Sequence, residues 1–273
     1  MGKTKIEWAD RVWNPVVGCT PVSAGCAHCY AKRIYDRFYQ DKPFSKVQLH
    51  RERLFQPLHW KNPGRVFVNS MSDLFHPDVP FSYIDDVFGV MTGCPKHTFM
   101  VLTKRPERML EWSKQYYLPG ASGSENVWLG VTAENQKAAD ERIPLLLETP
   151  AAVRFVSAEP MLGPVDLSKY LFADPSRPNW ARLNMLQWVI CGGESGPGAR
   201  PMHPDWAKSI RDQCQAAGAP FFFKQHGEFT YKGRYGVERG NSVEIGDAFQ
   251  RVGKKKAGRL LDGVEWNQYP EVK

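Results

Sequence analysis

Six short apolar runs, rich in β-branched and aromatic residues, recur along most of the chain. Each run is continuously apolar, which is typical of parallel strands that are covered on both faces. Segments with helical spacing separate the runs, and the one at 204–218 ends at Gly218, a residue type that commonly terminates helices. The runs are RVFVNS (65–70), TFMVLT (98–103), NVWLGV (126–131), AVRFVS (152–157), LQWVICG (186–192) and APFFFK (219–224).

This alternation predicts an α/β fold built from βα units. We expect a partial or closed (β/α) barrel of about six to seven parallel strands, with a doubly wound sheet as the alternative. A short strand at VWNPV (12–16), just before Cys19, would be the additional strand.

The chain changes character after Phe229, where glycines become closely spaced and a Lys-rich stretch follows. We interpret this part as a small β-rich appendage with Lys254, Lys255 and Lys256 in a turn. The predicted division is a barrel domain at 1–230, which carries the N-terminal cysteine loop, and an appendage at 231–273.

Hydrophobic content, cysteine count and net charge limit the classes of protein to which this chain can belong. The 273 residues are 42% hydrophobic, enough for a sizeable core, yet no run approaches the roughly 18 apolar residues of a membrane span. The first residues lack the apolar segment of an export signal, so a cytoplasmic protein is expected. In that compartment six cysteines favour metal binding over disulfides. The formal charge of +7 favours an anionic partner such as nucleic acid or a nucleotide.

Three of the cysteines, Cys19, Cys26 and Cys29, lie close together in GCTPVSAGCAHCYAKR. Six residues separate the first two and two residues separate the second pair, on a loop that leads into a helical segment. Three thiolates without a fourth cysteine in register suit a [4Fe-4S] cluster in which one iron stays open. A substrate or cofactor could bind that iron.

A zinc site is the alternative interpretation of these cysteines. Cys26 and Cys29 would form one pair of ligands, and Cys94 with His97, in the sequence CPKH, would form the other. The two pairs are far apart in sequence, and Cys19 would then have no role. A zinc site could also recruit Cys19 or His28. The remaining cysteines, Cys191 and Cys214, are expected in the core.

The segment IEWADRVWNPVVGCTPVSAGCAHCYAKR, together with LTKRPE, SAEPMLGPV, CGGESGPGARPM and FFFKQHGE, resembles a known family. That uncharacterised family consists of radical-SAM-like three-cysteine-motif proteins associated with phages and mobile elements, and the resemblance runs from Ile6 to about Trp266. In the radical SAM superfamily, three cysteines after the first strand of a partial barrel hold a [4Fe-4S] cluster. S-adenosylmethionine (SAM) chelates its fourth iron.

The resemblance implies that the cluster reduces bound SAM and releases a 5′-deoxyadenosyl radical that acts on a substrate. It implies an electron donor, and similar proteins suggest a protein partner encoded nearby. This chain departs from the superfamily in having six residues, not three, between the first two cysteines. It also has His28 where the superfamily usually has an aromatic residue that contacts adenine. His28 could still stack on that ring.

Polar residues follow each predicted strand, and in (β/α) barrels such positions converge on the functional site. For SAM, we expect Asp73 to accept from the amino group and Glu134 or Glu159 to bind the ribose, with close backbone approach at Gly192 and Gly193. Each residue could instead cap a helix or lie on the surface. The predicted cofactor-binding residues are His28, Ser70, Asp73, Glu134, Glu159, Gly192, Gly193 and Glu194. The predicted substrate-binding residues are Lys104, Arg105, Arg200, Lys224 and Gln225.

Two functions therefore compete. The first is a radical SAM-type enzyme that acts on an unknown substrate, with a nucleic acid or nucleotide favoured by the charge. The second is a protein without turnover, in which a cluster or zinc only orders the cysteine loop of a nucleic-acid-binding or defence-partner protein.

Overall fold

A computed structural model describes residues 4–38, 42–118, 123–171, 185–233 and 248–271. The helices are α1 (Tyr30–Phe38), α2 (Arg51–Leu54), α3 (Phe81–Thr92), α4 (Pro106–Tyr116), α5 (Gln136–Glu148), α6 (Pro204–Ala217) and α7 (Lys254–Ala257). The strands are β1 (Arg11–Trp13), β2 (Val16–Val17), β3 (Gln48–Leu49), β4 (Gly64–Val68), β5 (His97–Thr103), β6 (Val127–Thr132), β7 (Val153–Ala158), β8 (Trp188–Gly192), β9 (Phe221–Gln225), β10 (Phe229–Tyr231) and β11 (Phe249–Arg251). None of the helices in these ranges combines the length and apolar character needed to cross a membrane.

Seven of the strands form one parallel sheet in the order β1-β4-β5-β6-β7-β8-β9. The order follows the chain without reversal, as in the wall of a barrel and unlike a doubly wound sheet. Within the described residues, β1 and β9 are its two edges, so the sheet is a curled half-barrel. The predicted partial barrel of about seven parallel strands is confirmed, and the doubly wound alternative is wrong.

The two faces of the sheet carry different cores because successive side chains of a strand point to opposite faces. Val66, Val101 and Leu129 pack with the helices on the convex face. The residues directly next to them in sequence, Phe67, Met100 and Trp128, point to the concave side, where they pack with Trp8. Burial of each such aromatic side chain contributes about 1.5–3 kcal/mol. This aromatic layer fills the concave face, so a ligand has to bind beyond it, at the carboxyl ends of the strands.

The C-terminal segment protects one edge of the sheet. Asn267 forms an antiparallel bridge with Phe222 in β9, and the backbone carbonyl of Gln268 accepts a hydrogen bond of 2.9 Å from the indole of Trp188. Covered edges prevent strand pairing between molecules.

Two local predictions require correction. VWNPV does not form one strand, because Asn14 and Pro15 separate β1 from β2, which pairs antiparallel with β3. Proline has no backbone N–H with which to continue the pairing. The lysines 254–256 begin helix α7 and do not form a turn. β10 and β11 form a small antiparallel sheet, as expected of the appendage, but residues 234–247 lie outside the described residues.

Helix α6 ends as the sequence predicts. Gly218 has a φ of 66°, in the left-handed region, and its N–H donates to the last carbonyls of the helix. Only glycine adopts this conformation at little cost, which explains why the helix stops here.

Candidate functional site

Residues 18–29, here called the cysteine loop, follow β2 and end at the start of α1. The loop begins at Gly18, whose φ is 99° and where a Cβ would lie 2.7 Å from the carbonyl oxygen of Lys46. The N–H of Cys19 then donates to the carbonyl of Phe44 at 2.9 Å, and a 3-10 turn brings the chain to Cys26. All three thiols of the loop are free and partly exposed.

Arg105, which follows β5, attaches the loop to the sheet. Its guanidinium lies 3.5 Å from Cys19 Sγ, 3.3 Å from Asp73 Oδ2 and 2.9 Å from the carbonyl oxygen of Thr20. Burial raises the pKa of the Cys19 thiol and Asp73 adds to this, whereas the positive charge of Arg105 opposes it. A buried cation is therefore positioned to stabilise negative charge on this sulfur.

Asp73 connects the ends of β4 and β5 below the loop. Its Oδ1 accepts from Thr103 Oγ1 at 2.7 Å and from the N–H of Phe75 at 3.0 Å. Its Oδ2 accepts from the N–H of Lys104 at 3.0 Å and from Arg105. These bonds engage both oxygens, and the predicted contact with SAM stays a prediction.

Glu134, which follows β6, lies directly below the loop and is 1% exposed. A Cβ on Gly25 would lie 3.1 Å from its carboxyl carbon, and Arg142 binds the carboxylate at 2.8 Å. Burial acts to raise the pKa of Glu134, but Ser23 and the Arg142 guanidinium outweigh it and hold the pKa below its ordinary value. The carboxylate is ionised and paired at neutral pH.

Glu194, which follows β8, holds the loop from the opposite side through Arg200. The two side chains form a bidentate pair at 2.8 and 2.6 Å, and Arg200 also donates to the carbonyl of Ala24 at 3.1 Å. Burial acts to raise the pKa of Glu194, but the hydrogen bonds from Arg200 lower it overall. Arg200, which was predicted to bind substrate, therefore contacts the cysteine loop.

His28 and Arg33 pack against the turn at 196–198. Gly196 has a φ of 98°, and a Cβ there would overlap the guanidinium of Arg33. Gly198 has a φ of 74°, and a Cβ there would lie 2.8 Å from Nδ1 of His28. Glycine is needed at both positions because of the backbone angle and the close approach. The turn fixes His28 on the edge of the loop.

Glu159 and Lys224 form an ion pair of 2.5 Å beyond the aromatic layer. By strand alternation, Glu159 lies on the same face as Phe155, as does Ser157, and Lys224 on the same face as Phe222. A Cβ on Gly192 would lie 3.3 Å from the Cβ of Lys224, so glycine leaves room for the pair. Ser157 was missed in the sequence analysis, although its position two residues after Phe155 could have identified it.

Several other predicted site residues make hydrogen bonds or close backbone contacts around the site. Ser70 donates to Asn14 at 3.2 Å, Gln225 donates to the carbonyl of Gly193 at 3.3 Å, and a Cβ on Gly193 would overlap the carbonyl oxygen of His226. The half-buried side chain of Lys104 has no ion pair or hydrogen bond within the described ranges. The binding roles of all these residues stay predictions.

Three free thiols on one loop are the type of donor that an iron-sulfur cluster uses. Within the described residues, no three His, Cys, Asp or Glu side chains lie close enough to hold one ion. The thiolates of a cubane cluster ligate different irons and lie farther apart, and Arg105 adds a compensating charge beside Cys19.

The zinc site with Cys94 and His97 is wrong. Both residues lie at the amino end of β5, and the cysteine loop lies at its carboxyl end, beside Arg105. His97 instead packs against the ring of Trp60, with a centroid distance of 5.7 Å.

Comparison with solved structures gives distant matches to spore photoproduct lyase. A cysteine-to-serine variant of that enzyme shares 13% identity with a TM-score of 0.46, over 86% of this chain and 69% of that chain. A tyrosine-to-phenylalanine variant shares 11% identity with a TM-score of 0.41, over 81% and 65%. No curated protein matches the sequence. Residues 3–270 match the family model described as "Protein of unknown function (DUF5131)", and the chain belongs to that family.

Proposed function

We propose that this protein is an iron-sulfur enzyme of the radical SAM type, in which Cys19, Cys26 and Cys29 hold a [4Fe-4S] cluster. One observation carries the proposal. The loop with three free thiols lies at the carboxyl ends of the strands of the half-barrel, and charged residues that follow several of these strands contact it. Two buried ion pairs, Asp73–Arg105 and Glu134–Arg142, and the partly exposed pair Glu194–Arg200 adjoin one short loop, which indicates that the fold fixes its position.

When bound, such a cluster supplies the electron that cleaves SAM to methionine and a 5′-deoxyadenosyl radical. The chain's own residues provide the surroundings. The aromatic layer closes the concave face and excludes water from below. Glu159, Lys224 and Ser157 present charged and hydroxyl groups just beyond that layer, where they can orient a polar ligand.

The substrate that we propose is a nucleic acid or nucleotide. The formal charge of +7 supports an anionic partner, and the unpaired Lys104 stands at the mouth. An electron donor is required, and a protein partner and an association with phages belong to the same proposal.

The test is anaerobic purification of the full chain with quantification of iron, sulfide and zinc, followed by reduction with dithionite in the presence of SAM. We expect cluster iron and 5′-deoxyadenosine, both lost in Cys26→Ala and both retained in the control Cys94→Ala, whose thiol lies at the other end of the sheet. Stoichiometric zinc, or a cluster that leaves SAM intact, would show a metal-ordered protein without this activity.

A further inference from the structure

A cavity of about 450 Å³ opens beside the cysteine loop, at the β1 edge of the half-barrel. Its volume is in the range of small-molecule sites. None of the residues that line it is used in the ion pairs that hold the loop. They are Asn14, Val17, Ile34, Phe38, Arg53 and Met71.

The cavity shares a wall with the cysteine loop. Val17 belongs to a small buried cluster against which Cys19, Cys29 and Met71 pack. Val17 and Met71 also line the cavity. A molecule bound there would therefore lie next to the residues proposed to hold the cofactor.

The apolar part of the cavity comes mainly from one face of α1. Ile34 and Phe38 are four residues apart, so they lie on the same face of the helix, and their exposures are 41% and 67%. Met71 lines the cavity with them, and its thioether packs well against aromatic rings. Large apolar side chains exposed together indicate a binding surface, and this combination suits a flat ring.

The polar part of the cavity consists of hydrogen-bond donors. Asn14 Oδ1 already accepts from Ser70 Oγ and the N–H of Met71, and its Nδ2 has no hydrogen bond within the described ranges. The same holds for the terminal nitrogens of Arg53, whose nearest carboxylate oxygen, on Glu52, lies 3.6 Å from Nε. Outside the cavity lining, the guanidinium carbon of Arg37 lies 5.4 Å from the centroid of the Phe38 ring. A free amide donor and an arginine whose only ion pair is a loose contact with the exposed Glu52 favour an anionic ligand.

We propose that this cavity binds the substrate through a planar ring that bears an anionic group, a phosphate or a carboxylate. The ring lies between Phe38, Ile34 and Met71, and the anion binds Arg53. The inference rests on the proposed function only for the subsequent reaction, since binding requires neither SAM nor a reductant.

Titration calorimetry on the full chain tests the site with uridine 5′-monophosphate and 4-hydroxybenzoate, against the uncharged probes uridine and phenol. A pyrimidine is chosen because it does not mimic the adenine of SAM. We expect at least one of the anionic probes to bind more tightly than its uncharged counterpart. Which of the two binds distinguishes a nucleotide from an aromatic acid.

Matched variants locate the binding. Arg53→Gln should weaken binding of the anionic probe by about tenfold to a hundredfold, because a charge-assisted hydrogen bond is lost. Arg51→Gln, two residues earlier on α2 and outside the cavity, should not weaken it. Phe38→Ala should weaken binding, whereas the exposed Phe55→Ala should not.

The inference is overturned if neither anionic probe binds, or if the Arg53 and Phe38 variants bind as the two controls do. Unfolding curves of the four variants should match that of the parent, since all four side chains are at least partly exposed. Iron content and 5′-deoxyadenosine formation are separate measurements, so failure of the proposed function and failure of this inference are distinguishable.

Discussion

Arg105 connects three parts of the candidate site that lie far apart in the sequence. It contacts Cys19 and Thr20 in the cysteine loop and Asp73 after β4, and it is 9% exposed. Because this residue follows a strand, its position in the sequence predicts that it binds substrate. Its guanidinium bridges Asp73 and Thr20, so its contacts are those of an anchor for the loop.

Replacement of Arg105 by Gln should lower the free energy of unfolding by about 3–5 kcal/mol, because it leaves the buried Asp73 carboxylate without its cation. The control is Lys137→Gln, which breaks an exposed pair with Glu141 and should cost about 0–1 kcal/mol. Urea unfolding of both variants measures the difference. Equal losses in the two variants would contradict a buried anchor.

His97 provides a pH prediction. Burial lowers the pKa of its imidazole below the ordinary value, so the unfolded chain binds a proton at a higher pH than the folded protein does. The stability contributed by the neutral ring should be complete above about pH 7 and should decrease as the pH falls through about 6.5, the unfolded pKa. His97→Leu should show a smaller decrease in unfolding free energy between pH 7 and pH 5. An unchanged profile would show that His97 does not titrate on unfolding.

At the scale of elements, the helix after β6 shows how a strand-end residue can have a structural role. Asn135 comes shortly after β6, and its Oδ1 accepts from the N–H of Ala138 at 2.9 Å, which caps α5. The neighbouring Glu134 faces the cysteine loop. Of two adjacent residues at one strand end, one therefore caps a helix and the other faces the candidate site. The sequence pattern alone does not show which residue has which role.

Asn135→Ala should reduce the unfolding free energy by about 1 kcal/mol through loss of this cap. We expect no change in the iron content of the anaerobically purified protein, since Asn135 does not contact the cysteine loop in the described structure. Thermal unfolding and iron analysis of the same preparation provide both readings. A loss of iron with unchanged stability would assign Asn135 to the site.

At the scale of the whole molecule, the C-terminal segment completes the half-barrel. Asn267 pairs with β9, Gln268 accepts from Trp188 in the aromatic layer, and the ring of Tyr269 lies 4.0 Å from the guanidinium carbon of Arg65. The predicted boundary at 230/231 assigned this segment to an appendage. That boundary stays a prediction, but residues 267–269 contact the barrel closely.

A chain that ends after Gly263 should have a lower melting temperature and should self-associate, because the edge of β9 would be open to strand pairing. Light scattering and thermal unfolding measure the two effects. A chain that ends after Glu271 retains all of these contacts and should behave as the full protein does. Truncation without either effect would show that the segment is dispensable for the fold.

The parallel strands, the helices between them and the three-cysteine loop can be predicted from the amino-acid sequence alone. Apolar runs form strands and glycines such as Gly218 end helices through interactions between residues that are close in sequence. These elements can therefore be predicted from short segments. The pairing of charges, in contrast, becomes visible only in the folded chain. Arg105, Glu134 and Arg200 lie far from the cysteines in sequence, and their contacts with the loop depend on how seven strand ends converge. The cavity at Arg53 and Phe38 has the same origin, because it forms between helices whose relative positions no local pattern specifies.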